Sequence, residues 1–123
     1  MNPVTIKEGK KIFSAIKKGV NFKNTEVVIC PPFLYLALRS FNKGGATLGA
    51  QNSFWENEGA FTGEISPLMI KNLGVEYVIL GHSERREYLL ENNSRLLFQK
   101  QNRLWNWHWF YFLFSSKNKI SVS

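Results

Sequence analysis

Short apolar segments alternate with segments of helical periodicity through most of the chain, and this alternation limits the fold more than any other feature. Three apolar segments have the length of strands: Glu26–Cys30, Ala46–Ala50 and Tyr77–Leu80. Their near-continuous apolar character is typical of strands that are buried on both faces of a parallel sheet. The sequence therefore predicts an α/β fold of three parallel strands with helices between them.

Capping residues and glycines mark the ends of the predicted helices. Thr5 and Glu8 form a capping-box pattern at the start of the first helix. Ser66 suits an N-cap because a proline follows it, and Gly74 suits the position just after a helix end. The predicted helices are Ile6–Lys18, Phe33–Phe41 and one that begins after Ser66, and Gln51–Glu64 is predicted to be a loop.

The positive charge of the chain is concentrated in its tail. The chain has 16 Lys and Arg against 9 acidic residues, a formal net charge of +7. Residues 95–123 contain five of the basic residues, no acidic residue and 8 of the aromatic residues. We therefore divide the chain into residues 1–93, with the composition of an α/β unit, and an aromatic and basic tail of residues 94–123.

Composition also excludes several classes of protein. An apolar content of 44% excludes intrinsic disorder, and the single cysteine, Cys30, excludes an intramolecular disulfide. The N-terminus lacks the apolar core of a secretory signal, and Trp109–Phe114 is much shorter than the roughly 20 residues of a membrane-spanning helix. We expect a cytoplasmic protein with no membrane partner.

His82, Ser83 and Glu84 follow the third predicted strand, at the edge of the sheet where parallel α/β folds bind ligands. Consecutive side chains point in different directions, so these three cannot form a hydrolase triad. The other histidine, His108, lies in the tail, and the sequence gives no basis for a metal site. From the residues alone, an alternative remains open in which His82 is a satisfied polar residue and Glu84–Glu87 form a solvated charged turn.

Three motifs in order resemble the triosephosphate isomerase family. Tyr77–Arg86 is similar to the end of that family's fourth strand, Ala50–Asn52 with Gly59–Ser66 to its third strand and third loop, and Val28–Phe33 to its second strand. The resemblance covers residues 1 to about 93. It implies a partial (β/α)₈ TIM barrel, incomplete and unclosed.

The resemblance also implies roles for four residues. His82 matches the family's neutral electrophilic histidine, and Glu84 matches the acid beside its catalytic lysine. Ser83 begins the turn whose backbone N–H groups favour the neutral imidazole, and Thr62 matches the tip of the inter-subunit loop. The implied reaction interconverts dihydroxyacetone phosphate and D-glyceraldehyde 3-phosphate in glycolysis and gluconeogenesis. The implied partners are a phosphorylated triose and a second subunit, with no cofactor and no metal.

The sequence departs from the family pattern at both ends. Met1-Asn2 resembles the end of the family's first-strand motif, so the asparagine and the catalytic lysine that precede it in the family are not in this chain. No segment after Asn93 resembles the strand that carries the family's general-base glutamate. We therefore expect the chain to be inactive by itself.

Two other functions remain open. The chain could be a non-catalytic binding protein on a partial barrel, with an aromatic tail that stacks on single-stranded nucleic acid, although we expect no nucleic-acid partner. It could also be a non-functional translation product.

The tail is predicted to be an out-of-frame translation of the family's fourth helix and fifth strand. Reading residues 107–113 one base later yields glycine first and allows isoleucine and cysteine afterwards. These match the family's fifth-strand motif, and their spacing from His82 also matches. Resequencing of the locus tests this prediction, and a shifted frame that lacks the motif would contradict it.

Overall fold

The computed structural model describes residues 2–21, 23, 25–38 and 45–94, together with the backbone of residues 108–111. Helices and strands alternate along the chain. In order they are helix α1 Ile6–Gly19, strand β1 Val28–Ile29, helix α2 Phe33–Leu36, strand β2 Thr47–Ala50, helix α3 Pro67–Asn72, strand β3 Tyr77–Leu80, helix α4 Ser83–Tyr88 and strand β4 His108–Tyr111.

The strands form one parallel sheet in the order β1-β2-β3-β4, and the sheet is unclosed. The three predicted strands are confirmed. β1 is shorter than predicted, because only two of its residues pair with β2. The fourth strand, β4, lies in the tail and pairs with β3 so that His108 is opposite Tyr77. The architecture is that of a partial TIM barrel.

The first helix forms where the capping pattern predicts it. The Thr5 hydroxyl accepts a hydrogen bond from the Glu8 amide at 3.2 Å, and the Glu8 carboxylate accepts one from the Val4 amide at 3.1 Å. Two of the N–H groups near the start of the helix are thus satisfied by side chains. The helix buries Phe13 and exposes its lysines to solvent.

The remaining helices are shorter than α1. Ser66 caps α3 by accepting a hydrogen bond from the Met69 amide at 3.3 Å, and Gly74 follows that helix with a φ of 75°. These two predicted ends are confirmed. Helix α2 ends at Leu36 rather than at Phe41, and residues 39–41 of the predicted helix lie outside the described part of the chain. Within that described part, no helix has the length and apolar character needed to cross a bilayer.

The core lies between the sheet and its helices. Ala50 and Ile70 are fully buried there, and burial of a side chain the size of Ile70 stabilises a fold by about 1.5–3 kcal/mol. Gly49 allows the closest approach in this core, since a Cβ atom at that position would overlap Cys30 Sγ and lie 2.9 Å from Val28 Cγ1. β1 and β2 can pair at this spacing because residue 49 has no side chain.

We predict that Gly49→Ala destabilises the fold by about 1–3 kcal/mol, because the added methyl group overpacks the contact between β1 and β2. Gly19→Ala is the control, since a Cβ atom there meets nothing within 4 Å and alanine stabilises helices by roughly 0.5–1 kcal/mol relative to glycine. Urea unfolding followed by circular dichroism measures both changes. Equal unfolding midpoints for the two variants would contradict the prediction.

Candidate active site

An open cleft of about 750 Å³ lies along one face of the sheet and reaches the carboxyl ends of its strands. Its polar lining comes from the N-terminus, from the residues on either side of β1, from the segment after β2, and from His82 and the start of α4 after β3. These residues are Asn2, Glu26, Cys30, Gln51, Asn52, His82, Glu84 and Arg85. Since the strands are parallel, the segments after β2 and β3 lie at the same end of the cleft.

His82 is positioned by the turn between β3 and α4. Gly81 takes a φ of 65°, which glycine adopts without steric cost, and the chain then turns into α4 with His82 as its N-cap. The backbone carbonyl of His82 accepts a hydrogen bond from the Arg86 amide at 3.0 Å. The imidazole is about one third exposed and lines the cleft.

The imidazole Nδ1 atom has two neighbours from the same residue. The Glu84 amide donates a hydrogen bond to Nδ1 at 3.4 Å, and the Glu84 carboxylate lies 3.7 Å from the same atom. Nδ1 can accept from the amide only when it carries no proton, whereas an ion pair with the carboxylate requires one. The carboxylate is 77% exposed, and exposed ion pairs are weak. The hydrogen bond from the Glu84 amide fits an imidazole that is neutral and carries its proton on Nε2.

The segment after β2 carries two amide side chains. Gln51 donates a hydrogen bond from Nε2 to the Cys30 carbonyl at 2.9 Å, which links the ends of β1 and β2. The Asn52 side chain is buried, and its Oδ1 atom has no hydrogen-bond partner within the described residues. These two side chains place amide groups on the floor of the cleft near His82.

The other ionisable groups of the cleft are unsuited to nucleophilic or metal chemistry. Burial raises the pKa of the Cys30 thiol to about 11, so the thiol is protonated at neutral pH and is a poor nucleophile. Across residues 2–21, 23, 25–38 and 45–94, no three His, Cys, Asp or Glu side chains lie close enough together to hold a metal ion.

Thr62 is not among the residues that line this cleft. It is exposed at the tip of the loop between β2 and α3. The tip is a tight turn in which the Glu64 amide donates to the Phe61 carbonyl at 3.0 Å. The rings of Phe54 and Phe61 lie 4.7 Å apart and hold the tip against the base of the loop. The structure thus presents Thr62 on a projecting loop, separate from His82 and Glu84.

Sequence reasoning missed the pair formed by Arg85 and Glu91. Arg85 belongs to the run that the sequence left open as a solvated turn, yet its guanidinium contacts the buried Glu91 carboxylate at 2.7 Å. The two residues are six positions apart, which is not a helical contact spacing. Neither periodicity nor composition could have revealed this pair.

Comparison with known proteins gives one consistent match. A profile of the triosephosphate isomerase family matches residues 1–108, which extends beyond the boundary at residue 93. The chain is 52% identical over 88 residues to the triosephosphate isomerase of Dictyoglomus turgidum, and this alignment covers 70% of the chain and 34% of the relative.

Two further relatives carry the same name. The protein of Clostridium tetani is 46% identical over 91 residues, which cover 72% of this chain and 36% of the relative. That of Moorella thermoacetica is 40% identical over 106 residues, which cover 81% of this chain and 43% of the relative. The chain therefore spans between about one third and two fifths of the length of these relatives.

A hydrogen bond from Tyr77 to Glu26, which lines the cleft, leads to a prediction of how stability depends on pH. The Tyr77 hydroxyl donates a hydrogen bond to the Glu26 carboxylate. This hydrogen bond, together with burial and the negative charge of Glu26, raises the pKa of Tyr77 from 10.0 to about 12. Because the folded-state pKa is the higher one, the stabilisation is complete below pH 10 and is lost as the pH rises to 12.

We predict that the unfolding free energy falls between pH 10 and 12, and that Tyr77→Phe reduces this fall. Tyr35→Phe is the matched control, because Tyr35 donates instead to the carbonyls of Pro3 and Val4 and its loss leaves the Tyr77 bond intact. Urea unfolding at several pH values gives the slopes. Equal slopes for the unchanged chain and Tyr77→Phe would contradict the prediction.

Proposed function

Because this chain belongs to the triosephosphate isomerase family, we propose that it carries the electrophilic part of an isomerase site. The whole protein would interconvert dihydroxyacetone phosphate and D-glyceraldehyde 3-phosphate, without a cofactor, in glycolysis and gluconeogenesis. It would act in the cytoplasm as a homodimer, with Thr62 on the loop that enters the other subunit. The chain itself, without the remaining strands, is inactive.

The geometry of His82 is the observation that carries this proposal. Its Nδ1 atom accepts the Glu84 amide hydrogen, so Nε2 holds the proton and can donate it to a substrate carbonyl. A neutral histidine in this role is an established feature of triosephosphate isomerases. A hydrogen bond from Nε2 stabilises negative charge as it develops on the carbonyl oxygen, which is the step that an enediolate intermediate requires.

The described carboxylates of the cleft cannot supply the general base. Glu84 lies on the same turn as His82, so it cannot approach the opposite side of a substrate that His82 polarises. Glu26 accepts from Tyr77, which begins β3, whereas His82 follows the end of that strand. β3 spans roughly 10 Å from Tyr77 to Leu80, so Glu26 and His82 lie towards opposite ends of this strand. Proton transfer between the two substrate carbons therefore has no acceptor here.

The tail is part of the same proposal. We propose that the tail, from about Ser94, is translated in a reading frame that differs from that of the family. β4 supports the assignment of the tail to the fifth-strand position, because it lies in parallel next to β3.

We predict no measurable turnover of glyceraldehyde 3-phosphate by the 123-residue chain. Loss of a general base lowers the rate by about 10²–10⁴, and loss of substrate positioning lowers it further. A coupled assay with the Dictyoglomus turgidum enzyme as positive control measures this. Turnover that disappears in His82→Ala would overturn the prediction, since it would require another group to act as the base.

A chimera supplies the active arm of the same test. The segment of this chain that aligns over 88 residues replaces its counterpart in the Dictyoglomus turgidum relative, which supplies the rest of the barrel. We expect the chimera to be active and His82→Ala within it to lose at least about 10²-fold in kcat, because one positioned electrophile contributes that much. Equal activity of the chimera and its His82→Ala variant would refute the proposed role of His82.

A further inference from the structure

Glu91 is a buried acid that the proposed chemistry does not use. It is 7% exposed, and its Oε1 atom accepts a hydrogen bond from Arg85 Nε at 2.7 Å and forms an ion pair with Arg85 Nη2 at 2.7 Å. Its Oε2 atom is also buried and has no hydrogen-bond partner within the described residues. Acidic side chains are rarely buried unless they are paired. Within the described residues, the Glu91 carboxylate therefore pairs with the Arg85 guanidinium.

The backbone is bent to bring Glu91 to this place. Leu90 has a φ of 55°, and it is the one non-glycine residue with positive φ in the described part of the chain. The bend returns the chain onto α4, where the Arg85 carbonyl accepts from the amides of Leu89 at 3.0 Å and Glu91 at 3.3 Å. A left-handed leucine persists only where surrounding contacts hold it, and here the contacts of Leu89 and Glu91 with Arg85 flank Leu90 on both sides.

We propose that Glu91 is a positioning residue for His82 and acts through Arg85. Arg85 directly follows Glu84, whose amide hydrogen binds His82 Nδ1. Helix α4 has six residues, and a helix of that length is not stable by its own hydrogen bonds. The Arg85–Glu91 pair anchors its first turn, so it fixes the Glu84 amide at Nδ1 and keeps the imidazole proton on Nε2. The inference rests on the proposed function of His82.

Neighbouring charged groups cannot provide the same anchor. The Glu84 carboxylate is 77% exposed, so solvent screens its interactions. Arg86 donates to Asn93 at 2.9 Å, but this contact is exposed and lacks a carboxylate. Glu87 is exposed on the same helix and carries the same charge as Glu91, which makes it a matched control position.

The test measures the tautomer of His82 directly. The full chain is labelled with ¹⁵N-histidine, and magic-angle-spinning NMR records the ring nitrogens at a pH above the usual histidine pKa of about 6.5. This method needs no monomer and no turnover, so its result is separate from the activity tests. A His108→Gln sample assigns the signals of the two histidines. The variants are Glu91→Gln, Arg85→Lys and the control Glu87→Gln, each checked for folding by circular dichroism.

We expect the unchanged chain and Glu87→Gln to show His82 protonated on Nε2. Glu91→Gln removes the negative charge, and Arg85→Lys removes the planar guanidinium group. Both variants should shift the His82 signals towards an average of the two tautomers while the fold is retained. Unshifted signals in either folded variant would overturn the proposal. Loss of the fold in both variants would also overturn it, because the pair would then stabilise α4 without a separate effect on His82.

Discussion

The parallel pairing of β2 with β3 is the constraint on which the rest of the structure depends. Gly49 lies opposite Tyr77 and Ala50 opposite Val78, so the carboxyl ends of the two strands lie at the same end of the sheet. That register brings the side chains of Gln51 and Asn52, which follow β2, into the same cleft as His82, which follows β3. A shift of one residue would move the side chains of a strand to the opposite face, and the cleft would lose its polar lining.

At that edge, backbone hydrogen bonds control the chemistry more than side-chain charge does. The Glu84 amide and carboxylate both approach His82 Nδ1, but only the amide is held in place by the turn. The exposed carboxylate is surrounded by water, which screens it. This geometry is the basis for the proposal that a neutral His82 donates a hydrogen bond into the cleft.

Local signals in the sequence predicted most of the fold. The capping pattern at Thr5 and the N-cap at Ser66 determine where helices begin, through hydrogen bonds between residues three positions apart. Such short-range contacts can be predicted from a sequence. The end of α2 was wrong within the described residues, because apolar periodicity continues beyond Leu36 where the helix stops. β4 was not predicted as a strand, since its pairing with β3 is a long-range contact.

The candidate site divides in the same way. The position of His82 followed from the strand and glycine before it, and the role proposed for it rests on the family resemblance. The Arg85–Glu91 pair depends on a left-handed leucine and a return of the chain, and neither has a sequence signature. Glu26 and Tyr77 are likewise joined only by the register of β1 to β3. Contacts of this kind required the three-dimensional structure.

The central claim is that residues up to 94 fold as an unclosed parallel sheet, with His82 at the carboxyl end of β3. Hydrogen exchange of the backbone amides tests this claim most directly. The account predicts the slowest exchange at Thr47–Ala50 and Tyr77–Leu80, which have neighbouring strands on both sides, and faster exchange at the edge strand Val28–Ile29. Exchange of Tyr77–Leu80 at the rate of an unfolded chain would contradict it.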